Sequence, residues 1–287
     1  MSYTIALAQI DSTVGNVEKN IEKHLHYIER AIEQKANIIV FPELSLTGYS
    51  LRDITYEVAI NPKTEKKYFQ QLKKLSKSIT IIVGGVEEVE EGENYALYNS
   101  AFVFEKGEYV FSHRKIYLPT YGMFEEMRYF HAGKNIQSFN SQYGKLGILV
   151  CEDAWHLSLP YILAHDGAEI FITITASPTR ITGNTPTLSN NIINTEHHKT
   201  YSRLLSSYFV FCNRVGIEDG VNFWGGSKIV NPFGEIIAEA KLFEEDLIIG
   251  KIDSTVVRQA RRDSRHFLDD NPELTIQQLQ NIILKKK

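Results

Sequence analysis

A mixed α/β sheet domain is expected for this chain, on three grounds. Strand-length apolar runs alternate with amphipathic helical stretches through the first 84 residues. A hairpin signal at Lys106-Gly107 makes the centre of the sheet antiparallel in part. No repeat, low-complexity tract or linker rich in Gly, Ser and Pro divides the 287 residues, and a chain near this length can bury roughly three quarters of its extended surface in one unit.

The run from Tyr3 to Ile10 reads as a first strand. Residues 14–34 then place Val17, Ile21, Leu25, Ile28 and Ile32 at helical spacing, with Asn16 as N-cap. A second buried strand, Asn37 to Phe41, is closed by Pro42, which donates nothing to a ladder. A lysine-rich helix over 63–78 leads to the strand Thr80 to Gly84, and the acidic run from Glu87 to Asn94 reads as a solvated hairpin tip. Further strands are expected at 100–104, 109–113, 145–150, 169–175, 208–213, 227–231, 235–240 and 247–252. Helices are expected over 189–206 and from about Pro272. The division expected is 1–253 for the sheet domain and 254–287 for a C-terminal arm, rich in arginine at Arg258, Arg261, Arg262 and Arg265 and suited to a subunit contact.

Composition excludes several classes. With 31 Lys+Arg against 35 Asp+Glu the formal net charge is −4, which gives no basic surface to condense on nucleic acid. No apolar run approaches the ~20 residues that span a bilayer, and the N-terminus lacks a signal-peptide pattern, so a cytoplasmic protein is expected, without membrane partners. The two cysteines, Cys151 and Cys212, form no disulfide framework, and the nine histidines lack CxxC or HExxH spacing, so no metal site is expected.

Three strand ends carry reactive side chains. Cys151 closes the run Leu146 to Val150, Glu43 follows a buried strand and Pro42, and Lys115 follows the strand 109–113 and precedes apolar Ile116-Tyr117-Leu118-Pro119. Alone, the cysteine reads first as a small core residue, and each charge as a surface group or a structural salt bridge. Together, three strand ends bearing Glu, Lys and Cys suggest a shared rim. Cys212, inside Phe209-Val210-Phe211-Cys212-Asn213, reads as a core residue.

The segments Phe41-Pro42-Glu43-Leu44-Ser45-Leu46-Thr47-Gly48-Tyr49, His113-Arg114-Lys115-Ile116-Tyr117-Leu118-Pro119 and Leu149-Val150-Cys151-Glu152-Asp153-Ala154-Trp155 resemble the three signature regions of the nitrilase superfamily of carbon-nitrogen hydrolases, in the same order. The resemblance implies a single-domain αββα sandwich with Glu43 as general base, Lys115 as electrophilic stabiliser and Cys151 as nucleophile. It implies a further catalytic glutamate at Glu126, with Glu125 the competing assignment, and oxyanion stabilisation by the backbone N–H of Glu152. No metal or organic cofactor is called for. A homodimer or larger homo-oligomer is implied, formed through helices near the nucleophile.

Within that superfamily the chain is most similar to the glutaminase portion of glutamine-dependent NAD synthetases, without a following synthetase domain, so a stand-alone amidase is expected. By position, Tyr49, Tyr121, Glu152, Trp155, Ser177 and Arg180 become substrate-binding candidates, although the loop around Arg180 departs from the glutamine-recognition pattern. The expected substrate is a small linear amide or N-carbamoyl compound, cleaved with water through a thioester on Cys151. Two alternatives stay open: a glutaminase-type partner supplying ammonia to a separate enzyme, and a non-catalytic interaction protein. A papain-like pairing of Cys151 with His156 is a further option.

Overall fold

The computed structural model describes residues 2–91, 94–179 and 188–286. In chain order, β1 (Ser2–Gln9), β2 (Ile38–Val40), β3 (Thr80–Glu91), β4 (Asn94–Glu105) and β5 (Glu108–Arg114) belong to a first sheet. A second sheet contains β6 (Phe139–Ser141), β7 (Gly144–Val150), β8 (Ile170–Thr175) and β9 (Tyr208–Asn213). Strands β10 (Val215–Glu218) and β11 (Val221–Trp224) form a separate hairpin, β12 (Lys228–Val230) and β13 (Ile236–Glu239) complete the second sheet, and β14 (Asp246–Asp253) returns to pair with β1. The helices are α1 (Val17–Glu33), α2 (Lys67–Leu75), α3 (Glu126–Tyr129), α4 (Ser158–His165), α5 (Ser189–Leu204), α6 (Ser254–Asp263) and α7 (Pro272–Lys285).

The two sheets repeat one plan. Their orders are β14-β1-β2-β3-β4-β5 and β13-β12-β9-β8-β7-β6. Each has a parallel centre, β1-β2-β3 in one and β7-β8-β9 in the other, flanked by antiparallel pairs. Side chains alternate across each strand, which separates three layers of core. Ile5, Leu7, Ile38, Val40 and Ile82 meet Ile148, Val150, Ile172, Ile174, Val210 and Cys212 between the sheets. The opposite faces take Ile21, Ile28, Phe69 and Leu72 of α1 and α2 against the first sheet, and Leu159, Leu163 and Tyr201 of α4 and α5 against the second. The result is an αββα sandwich.

Local expectations hold at α1, where Asn16 Oδ1 accepts from Lys19 N at 3.0 Å. The acidic run differs. The β3 and β4 strands extend to Glu91 and from Asn94, and Glu87, expected in solvent, is 2% exposed. Strand alternation turns it inward, where it accepts from Ser100 Oγ at 2.7 Å and from Arg114 Nε and Nη2 at 2.8 and 2.9 Å. The β10–β11 hairpin was also unanticipated, although Asp219-Gly220 at its turn is a hairpin signal. The α6 helix packs Val257 and Ala260 inward, whereas the apolar side chains Leu274, Leu279 and Ile283 of α7 are exposed. Among the described residues no helix is long and apolar enough to cross a membrane.

The fold brings β2 and β7 to one rim at their carboxyl ends, where ligands gather in open α/β sheets. Glu43 leaves β2 in a tight turn that lies against β3. A Cβ at Gly84 would stand 2.5 Å from both Leu44 N and Pro42 O, so only glycine lets the Glu43 turn approach this strand. Gly84→Ala should therefore cost about 1–3 kcal/mol in urea unfolding. Unchanged stability would show that the turn yields without strain.

Candidate active site

Glu43, Lys115 and Glu126 converge in the interior. Lys115 Nζ donates to Glu43 Oε1 and to Glu126 Oε1, both at 2.7 Å. Lys115 is 0% exposed, Glu43 1% and Glu126 5%. An ammonium this deep is stable only with charged partners. Burial alone would push Lys115 down, but the charges of Glu126 and Glu43 hold it well above the usual lysine value.

Glu43 is held on both oxygens. Asn99 Nδ2 donates to Oε1 at 2.8 Å, beside the lysine, and Ala176 N donates to Oε2 at 2.8 Å. A carboxylate offers about two acceptor sites per oxygen, so Oε1 is filled and Oε2 keeps one free. The turn itself is tied to α1 through His24, which bridges Asn20 O at 2.6 Å and Ser45 Oγ at 2.9 Å. Burial lowers that imidazole to about 4, so it stays neutral.

Glu126 takes its second donor from Tyr49, whose hydroxyl reaches Oε1 at 2.6 Å, while Oε2 is buried without a partner among the described residues. Burial raises this carboxyl to about 7. The Lys115 charge opposes the rise and the Glu43 charge adds to it. Neighbouring Glu125 is exposed and makes none of these contacts.

Cys151 begins a 3-10 turn, Cys151–Trp155, with φ of +48°. A residue other than glycine in the left-handed region costs roughly 1–3 kcal/mol and needs its surroundings to hold it. Asp153 does so. Its Oδ2 accepts from Val150 N at 3.1 Å and from His113 Nε2 at 2.9 Å, and its Oδ1 accepts from Ile116 N and Tyr117 N, each at 3.0 Å. One buried carboxylate thus clips the cysteine turn to the backbone beside Lys115. Burial and then the Glu43 charge push the Cys151 thiol well above its ordinary range, although Lys115 pulls the other way.

A cleft of about 110 Å³ opens at the thiol, lined by Cys151, Tyr121, Glu152, Trp155, Ser177 and Asn190 among others. Tyr121 OH donates to Glu152 Oε2 at 2.9 Å, and Ser177 Oγ accepts from Trp224 Nε1 at 3.1 Å. Of the expected pocket residues, Tyr121, Glu152, Trp155 and Ser177 border this cleft. Tyr49 instead lines an adjoining cleft of about 250 Å³ with Glu126 and Phe124, and Phe124 borders both. Arg180 lies outside the described residues. His156 stacks on Tyr117 with ring centres 3.3 Å apart and lies 3.9 Å from Glu152, with no hydrogen bond to Cys151 among the described residues. Cys212 is a free, fully buried thiol in the inter-sheet core. Among the described residues no group of three His, Cys, Asp or Glu side chains is arranged to hold a metal.

Sequence reasoning missed Asn99, Asp153 and Glu218. Glu218 Oε1 accepts from Tyr49 N at 2.9 Å and from Ser50 N, which fixes the loop that carries the Tyr49 hydroxyl. Asp153 was visible inside a motif but without a role. Glu218 lies 169 residues from Tyr49, and no local signal links them.

The chain matches the carbon-nitrogen hydrolase family over residues 4–262. It belongs to that family. This carbon-nitrogen hydrolase is 33% identical over 278 residues to a glutamine-dependent NAD(+) synthetase of Acinetobacter baylyi, a match that covers 95% of this chain and 48% of the relative. The chain thus spans about half the length of the first curated relatives it matches. It is 26% identical to a probable nitrilase of Schizosaccharomyces pombe over 96% of this chain and 97% of that one. Among solved structures, an amidase from Nesterenkonia sp. AN1, with the acetamide moiety of fluoroacetamide added covalently at its active-site cysteine, superposes with a TM-score of 0.76. That match has 22% identity and covers 96% of each chain.

Since the Glu43 charge opposes formation of a Cys151 thiolate, alkylation by iodoacetamide should be slow at pH 7 and still accelerating at pH 9. Glu43→Gln removes that charge, lowers the thiol pKa and should speed labelling several-fold at pH 8. Mass spectrometry of the Cys151 peptide reads both. A wild-type rate that levels off below pH 8 would mean the thiol is already ionised.

Proposed function

We propose that this carbon-nitrogen hydrolase is an amidase that cleaves a small linear amide or N-carbamoyl compound through a thioester on Cys151, releasing ammonia or an amine. The observation that carries this reading is the buried Lys115 ammonium held between Glu43 and Glu126 beside a cysteine in a strained turn.

In the resting site the thiol keeps its proton, because burial and the Glu43 charge both favour the neutral form. Attack on the carbonyl carbon then moves the thiol proton to Glu43. Oε2 is the atom with acceptor capacity left, since Oε1 is already filled by Lys115 and Asn99. The developing oxyanion is stabilised by the Lys115 ammonium and by the Glu152 backbone N–H that the family resemblance implies. Losing one such donor typically costs about 3 kcal/mol of transition-state stabilisation. As the C–N bond breaks, Glu43 returns the proton to the leaving nitrogen, leaving the acyl group on Cys151 Sγ. Water then attacks the carbonyl carbon on sulfur, its proton passes through Glu43, and the free thiol is released with a carboxylic acid from an amide or with a carbamic acid, which loses carbon dioxide, from an N-carbamoyl compound. Glu126 accepts a second hydrogen bond from Lys115, so the ammonium is shared between two carboxylates.

The Nesterenkonia amidase variant, whose active-site cysteine carries the acetamide moiety of fluoroacetamide, supports a nucleophilic cysteine by analogy of fold, that adduct being an alkylated thiol rather than a thioester. A second reading, a glutaminase that supplies ammonia to a separate enzyme, draws on the 33% identity to the Acinetobacter baylyi synthetase. Ammonia release from glutamine, short aliphatic amides, ω-amides and N-carbamoyl amines separates the two. Cys151→Ser should abolish release from every active substrate with unchanged circular dichroism, and the wild type should trap an acyl adduct on Cys151 by mass spectrometry. Undiminished turnover by the variant would remove Cys151 from the nucleophile role, and silence with no adduct would favour an interaction protein.

The homo-oligomer is part of the same proposal, and exposed Leu274, Leu279 and Ile283 of α7 offer apolar surface for it. Light scattering should give a dimer or larger; a monomer throughout the micromolar range would remove this element.

A further inference from the structure

We propose that Glu218 is a positioning residue for the chemistry at Cys151, fixing through the backbone of Tyr49 the phenol that donates to Glu126, and hence the carboxylate that shares Lys115 with Glu43. The inference rests on the amidase reading for its catalytic meaning, but the contacts that carry it are independent of any substrate.

Glu218 ends β10 on a hairpin outside both sheets, and it is 6% exposed. Its two oxygens do different work. Oε1 accepts from Tyr49 N at 2.9 Å and from Ser50 N. Oε2 accepts from Arg214 Nη1 at 2.5 Å, and Arg214, itself 1% exposed, also donates through Nη2 to Asp11 Oδ1 at 3.0 Å. The guanidinium carbon lies 4.4 Å from the centre of the Phe223 ring, and the Phe223 ring meets Tyr49 edge-on at 6.0 Å. Tyr49 is therefore gripped by its amide, by its ring and by its hydroxyl.

The first grip decides the last. Two adjacent N–H groups share one carboxylate oxygen, so the direction in which the chain leaves Ser50 and the place of the Tyr49 ring are set together. From that place the hydroxyl reaches Glu126 Oε1 at 2.6 Å. Charged or titratable groups act on Glu126 from three other segments: Lys115 after β5, Glu43 after β2, and the Cys151 thiol after β7. Of the donors to Glu126 among the described residues, Lys115 and Tyr49, only Tyr49 depends on Glu218. Loss of the phenol contact removes a bond to the ionised carboxylate, so Glu126 should titrate higher than its value of about 7.

The test follows the Glu126 carboxyl directly by carbon NMR in protein labelled at glutamate Cδ, with Glu126→Gln to assign the signal. Glu218→Gln cannot serve both Arg214 and the two amides with carbonyl oxygen, so the Glu126 midpoint should move up by about one pH unit, the size expected for a hydrogen bond to a charged group. That shift would leave the ionised fraction at pH 7 about fivefold lower. Glu218→Asp keeps the charge but loses reach, and should give a shift in the same direction if the glutamine variant fails to fold. In a Tyr49→Phe background, which has no hydroxyl to place, Glu218→Gln should lower the thermal midpoint but move the Glu126 titration no further. An unshifted titration in either Glu218 variant, or an equal added shift in the phenylalanine background, overturns the proposal and makes Glu218 a stability residue only. Absence of turnover in the wild type would count against the amidase reading and would leave this titration result standing.

Discussion

Everything at the rim depends on one buried cation. The Lys115 ammonium has no access to water, and it is stable there because two carboxylates accept from it at 2.7 Å. The arrangement works in both directions, since Glu43 and Glu126 are buried charges that need the lysine as much as it needs them. With one cation for two carboxylates the cluster cannot be neutral when both are ionised. Burial, with the Glu43 charge adding to it, raises Glu126 to about 7, and burial together with the Glu43 charge opposes ionisation of the neighbouring thiol. A cluster of this kind keeps the Cys151 thiol in its protonated form.

Such a cluster is useful only if its members are held still, and the carboxylates that do this are themselves buried. Asp153 accepts four hydrogen bonds that join the Cys151 turn to the segment containing Lys115. Glu218 holds the Tyr49 loop, and His24 ties the Glu43 turn to α1. Each of these groups satisfies backbone or side-chain donors that would be costly to leave unpaired in the interior. The left-handed backbone at Cys151 persists because its surroundings leave it no alternative.

The sandwich supplies the frame for those clamps. Parallel centres in both sheets bring strand ends to one rim, so that Glu43 after β2 and Cys151 after β7 face each other across the two sheets. The antiparallel strands β4 and β5 add Asn99 and Lys115 from the side. The cleft above the thiol is small and bordered by Tyr121, Trp155 and Glu152.

Local patterning was enough to read most strands and the helices α1, α2, α5 and α7, though not β6, α4 or the β10–β11 hairpin, and it picked out the candidate reactive residues Glu43, Lys115 and Cys151, because each lies at the end of an apolar run where periodicity breaks. It misjudged Glu87, since composition averages a charged stretch whereas a strand sends alternate residues to opposite faces. It gave no sign of Asn99 or Glu218, whose partners are 56 and 169 residues away. Residue type and spacing along the chain select which groups have the chemistry. Which of them share an atom, which proton is held back and which carboxylate stays half-neutral depend on distances of a few ångströms between remote segments in a water-poor interior, and those distances exist only once the two sheets have packed.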